Sequence, residues 1–144
     1  MATPYSMIHN MALTKISDYD ILKYDYLLRE EILDGYLFSA IVEVQRTCNI
    51  DLSDRNEEEK CFNENLSDEI IEILATGEAF YWLNPKVLNS EKLKNALNTK
   101  DYTIYSPANL LAQLHELRNT LWNDFRRMMI EYTYYHGNIS MQEV

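Results

Sequence analysis

A chain of 144 residues fits one domain, and a hydrophobic fraction of 47% is enough to build a core, which argues against disorder throughout. The net charge of −10, with 23 acidic residues against 13 basic ones, argues against independent binding to a nucleic-acid backbone, because that affinity comes from neutralising phosphates with Lys and Arg. Only three glycines and three prolines punctuate the sequence, too few for the turns of an all-β fold, so the expected class is all-α: a helical bundle with flexible ends.

Residues 1–16 show no sustained period and include Pro4, and are read as an N-terminal arm outside the core. They lack the basic region and apolar stretch of a signal peptide, and no apolar run approaches the roughly 20 residues of a membrane span. Folding in a cytoplasm is the expectation. The bundle domain is placed at 17–137. Ser17 or Asp18 caps its first helix, and Leu22, Tyr26, Leu33, Leu37, Ile41, Val44 and Cys48 recur close to the helical period. The stripe falters at Arg29 and Glu30, and Gly35 weakens its middle, so one bent helix and two shorter ones both remain open.

Asn49 to Asn65 is read as an acidic, solvated connector. From Asp51 to Glu72 there are nine acidic residues against two basic ones. Ser67 then caps a second helix, with Asp68 and Glu69 in its first turn. Apolar residues cover most of the circumference from Ile70 to Leu83, which places this helix at the centre of a bundle. Gly77 allows a neighbour to approach closely. Asn84-Pro85 is expected to end the helix. A short helix follows at Ser90–Leu97 with Leu93, Ala96 and Leu97 inward, then a loop at Asn98–Tyr105.

Ser106 and Pro107 open a long C-terminal helix carrying Leu110, Leu114, Leu117, Leu121, Phe125, Met128, Tyr132 and Tyr135 at alternating steps of three and four. Gly137 stops it, after about 45 Å at 1.5 Å per residue. Residues 138–144 are read as a C-terminal tail.

The motifs nominate no catalytic, cofactor-binding or metal-ligating residue. His9, His115 and His136 lie on separate elements without a second His or Cys at ligand spacing. Asp51 to Asn56 departs from a calcium loop, with Arg55 at the fifth position, Asn56 where glycine is needed and Phe62 at the twelfth. Cys48 and Cys61 do not make a disulfide framework, and no spacing marks a triad or a phosphate loop. Tyr132, Tyr134 and Tyr135 point in successive directions around the last helix, so they cannot all face one core and become candidates for a protein contact.

Asp51-Leu-Ser-Asp-Arg55, Leu66-Ser-Asp-Glu-Ile70, Trp82-Leu-Asn-Pro-Lys86, Leu97-Asn-Thr-Lys-Asp-Tyr102 and Tyr105-Ser-Pro-Ala-Asn-Leu110 together resemble a family of small virion structural proteins of tailed phages of Gram-positive hosts. The resemblance covers about Ser17 to Gly137 and rests on caps and turns. It implies a non-enzymatic neck protein, a head-to-tail connector or adaptor, forming a ring of its own copies between portal and tail proteins. DNA would pass through the ring without tight binding. On that reading Asp54, Glu57, Glu58, Glu59 and Glu64 are candidates to face the channel and repel phosphates. The rival expectation is a cytoplasmic helical adaptor or regulator that binds one partner protein.

Overall fold

The computed structural model describes residues 2–16, 26–96 and 108–137. Among the described residues, four helices form an all-α bundle: α1 (Tyr5–Ile16), α2 (Tyr26–Cys48), α3 (Asp68–Ala96) and α4 (Ala108–Tyr132), the last running on into a π turn at Thr133–Gly137. Three two-residue strands, β1 (Thr3–Pro4), β2 (Arg55–Asn56) and β3 (Cys61–Phe62), add a small antiparallel sheet in the order β1-β3-β2.

α3 is the central element and packs against α1, α2 and α4. Ser67 caps it as read from the sequence: its Oγ accepts the Ile70 N–H at 3.3 Å, with Asp68 and Glu69 in the first turn. Ile73, Leu74, Ala75 and Ala79 are wholly buried. The helix does not end at Asn84-Pro85. It continues through Pro85 to Ala96, so the separate short helix expected from Ser90 is the far end of α3. Proline removes one N–H bond at a cost of about 3 kcal/mol. Burial of Trp82, Leu83 and Val87 on both sides offsets that cost, at roughly 1.5–3 kcal/mol for a fully buried side chain. The inward positions read for Leu93, Ala96 and Leu97 lie outside the described side chains.

α2 is unbroken from Tyr26 through Gly35, and Leu33, Leu37, Ile41, Val44 and Cys48 are all buried. Asn49 ends it in the left-handed region, at φ 54°. The expected cap at Ser17 and the residues Leu22 and Tyr26 lie outside the described residues or side chains. In α4, Leu121, Phe125 and Met129 are buried, while Leu114, Leu117, Met128 and Tyr132 pack half-buried against the core. Its expected cap at Ser106 and Pro107, the loop before it and the tail at 138–144 lie outside the described residues.

The N-terminal arm is a correction. Residues 3–16 belong to the fold, and Tyr5, Ile8, His9, Ala12 and Ile16 of α1 are buried. Those positions do follow a helical period, but a histidine sits on the buried face and the apolar Met7 lies exposed, which blurs the stripe. The acidic connector is likewise more than a solvated loop. Arg55 pairs with Phe62 and Asn56 with Cys61 in a hairpin, and Leu52, Cys61 and Phe62 are buried beneath it. β3 also receives β1, and Thr3 Oγ1 donates to the Glu64 carbonyl while accepting the Leu66 N–H, both at 2.9 Å.

The two helical glycines differ in surroundings. A Cβ on Gly77 would lie 2.7 Å from Phe125 ring atoms and 3.0 Å from Ala40 Cβ, whereas one on Gly35 would meet nothing within 4 Å. Gly77→Ala should therefore destabilise the fold by about 1–3 kcal/mol through overpacking, despite the better helix former. Gly35→Ala should stabilise it by about 0.5–1 kcal/mol. Urea unfolding of both variants checks the pair. Equal and favourable effects would mean that α3, α2 and α4 do not meet at Gly77.

Candidate functional site

α3 is apolar almost all round, yet it carries one acid at its deepest point. Glu78 is wholly buried, and His9 of α1 is 2% exposed. His9 Nδ1 lies 2.8 Å from Glu78 Oε1, and His9 Nε2 lies 2.8 Å from Asp34 Oδ1 of α2. Asp34 Oδ2 in turn takes the Lys60 ammonium from the hairpin at 2.8 Å. Four segments distant in sequence thus meet in one chain of charge: α3, α1, α2 and the hairpin.

A neutral imidazole donates from only one nitrogen. With a carboxylate at each nitrogen, either the ring carries both protons or one carboxyl is protonated. Burial pulls the His9 pKa down, but the hydrogen bonds and charges of Glu78 and Asp34 outweigh it and leave the ring above its ordinary 6.5. Burial pushes Glu78 up to about 6, against the opposing pull of His9. Both partners are shifted toward holding a proton, so the pair is best described as one titrating unit. Among the described residues, Glu78 Oε2 has no hydrogen-bond partner.

A cleft of about 440 Å³ adjoins the network, lined by Ser6, His9, Asn10, Leu13, Arg29, Glu30 and Leu33. A general base needs a free ring nitrogen facing its proton donor. Both nitrogens of His9 are engaged by carboxylates, which suits a clamp between helices. Among the described residues, no group of three or more His, Cys, Asp or Glu side chains is arranged to hold a metal ion. Cys48 and Cys61 are both free and buried. No helix among the described residues is long and apolar enough to cross a membrane.

The residues nominated from sequence fall in two places. Asp54, Glu57, Glu58, Glu59 and Glu64 are all exposed and share the hairpin segment. Glu57 is tied down: its Oε1 accepts from Arg55 Nε at 3.1 Å and from the Tyr5 hydroxyl at 3.3 Å. At the end of α4, Tyr134 and Tyr135 stand 56% and 64% exposed, their rings edge to face at 5.3 Å. Tyr132 is instead half-buried against the core, its ring 4.4 Å from that of His136. Sequence reasoning missed His9, Asp34, Lys60 and Glu78. A readable signal was Glu78 itself, an acid flanked by Gly77 and Ala79 within the mostly apolar run from Ile73 to Leu83.

No family model, no curated protein and no solved structure matches this chain.

The clamp generates a pH dependence. Folded His9 and Glu78 both hold a proton to higher pH than in the unfolded chain, so their contribution is greatest below the unfolded Glu78 value of 4.5. It is lost as pH rises through about 6 for Glu78 and through the raised His9 value above 6.5. Melting temperature should fall between about pH 5 and about pH 9 by more in the natural protein than in a His9→Gln/Glu78→Gln variant. Parallel curves would remove the pair as a proton-linked element. At neutral pH, His9→Leu should cost about 3–5 kcal/mol, because it strands a buried carboxylate.

Proposed function

We propose that this chain is a non-catalytic virion structural protein of a tailed phage, a connector or adaptor subunit acting through its surfaces as one of several copies in the neck. The observation that carries this reading is the pair of adjacent tyrosines at the end of α4, both more than half exposed and packed against each other. Tyrosine offers a large apolar area with a polar tip and is enriched where proteins meet. The cap and turn motifs from Asp51 to Leu110 supply the kind of assembly. A charge of −10 suits a subunit past which DNA slides without being gripped.

Mass spectrometry of purified virions from a phage encoding this chain tests the proposal. The protein should be present at a fixed number of copies per particle, and Tyr134→Ala/Tyr135→Ala should fold normally but enter particles poorly. Absence of the natural protein from virions would reject the structural role and leave the cytoplasmic adaptor.

A further inference from the structure

A groove of about 340 Å³ runs between the C-terminal halves of α2 and α4. Its floor holds Trp122 and buried Met129, and Ile130 stands beside them 55% exposed. Two guanidinium groups and the Glu43 carboxylate border it, a net excess of one positive charge. Arg46 is paired with Glu43, whereas exposed Arg126 makes no hydrogen bond or ion pair among the described residues. A positive, partly apolar hollow is unusual on a chain of net charge −10.

The same chain carries a protrusion of the opposite sign. Residues 57–60 form the turn between β2 and β3, and the acids Glu57, Glu58 and Glu59 follow one another there. The turn is held in shape, because Asn56 Oδ1 accepts the N–H groups of Glu58 and Glu59, both at 3.0 Å. Lys60 adopts φ 55°, its carbonyl accepts the Tyr5 N–H at 2.9 Å and its ammonium pairs with Asp34. The side chains of Glu58 and Glu59, exposed at the tip, make no hydrogen bond or ion pair among the described residues. Anchored in this way to α1 and the middle of α2, the turn holds its acids exposed to solvent.

We infer that the groove between α2 and α4 is the docking site for the acidic β2–β3 turn of a second copy of this chain. Glu58 and Glu59 of one copy meet Arg126 and Arg46 of the next, while Ile130 and Trp122 receive the body of the turn. The occupant follows from charge. Two copies at −10 repel one another in most orientations, and the attraction is strongest where the densest acidic run faces the positive hollow. Because tip and groove are different surfaces, the contact is head-to-tail and repeats from copy to copy, as a ring or filament requires. The inference rests on the reading of the chain as an assembling subunit. It assigns Glu58 and Glu59 to a neighbour instead of a channel.

Sedimentation equilibrium of the full chain at low ionic strength tests it, since screening weakens such contacts. The natural protein should self-associate in a concentration-dependent manner. Glu58→Lys/Glu59→Lys and Arg126→Glu should each fold normally by circular dichroism and weaken self-association at least about tenfold, because like charges then face each other. Mixing the two variants should restore association, since the Lys tip of one then fits the Glu-bordered groove of the other. A natural protein that stays monomeric at every concentration overturns the inference. So does association that the variants leave intact, or that the mixture does not restore. In either case, presence of the chain in virions would still uphold the structural role, and its absence would reject that role separately.

Discussion

A carboxylate at the centre of the bundle must be answered by a cation or a donor, and that requirement organises half of the molecule. Glu78 is fully buried on the helix that every other described helix touches, and an unanswered charge there would cost several kcal/mol. His9 answers it, so α1 has to lie against α3. Once His9 is in place its other nitrogen requires Asp34 of α2, and Asp34 brings Lys60 and with it the hairpin. The hairpin then supplies β3 as the partner of β1, which fixes the start of α1. One buried acid thus propagates order from the core to the first residues of the chain.

The neighbouring residue organises the other half by the opposite means. Gly77 has no side chain, so Phe125 of α4 and Ala40 of α2 close on the backbone of α3. The rings of Phe80, Tyr81, Trp122 and Phe125 then pack edge to face or tilted, with centroids from 4.8 to 6.4 Å apart. Successive positions on a helix point about 100° apart at 3.6 residues per turn. Gly77 and Glu78 therefore serve different neighbours: close apolar contact toward α2 and α4, and a hydrogen-bonded ion pair toward α1. The two kinds of contact do not compete for the same face.

How much of this could be read in advance depends on whether a stripe was clean. The repeats on α2 and α4 contain few polar interruptions, so their buried faces and the central position of α3 were legible, as was the close approach at Gly77. α1 was not, because its buried face includes a histidine that reads as polar until Glu78 is known to lie opposite. Pro85 misled because local backbone preference was weighed without the burial on both sides of it. The acidic connector misled because the charge on its exposed side chains hid Leu52, Cys61 and Phe62, which are buried. Of the candidate contact residues, the exposure of Tyr134 followed from helical geometry; Tyr132 and Tyr135 both stood on the apolar stripe, but the π turn from Thr133 leaves only Tyr132 against the core. Charge pairing between segments distant in sequence carries no local period, and so the clamp had no signature beyond the isolated acid.

The end of α4 shows that exposure of Tyr134 and Tyr135 is built and not a frayed terminus. Beyond Tyr132 the helix widens into a π turn, where the Thr133 hydroxyl donates to the Met129 carbonyl at 2.8 Å. Widening shifts the angular position of the residues that follow. His136 thereby returns toward the body of the protein, stacks on Tyr132 and reaches Glu69 of α3 at 2.9 Å. The turn is held on both sides of the exposed rings, and the rings hold each other edge to face. Side chains that are already ordered lose less rotamer freedom when a partner covers them, so more of the apolar area they bury appears as affinity.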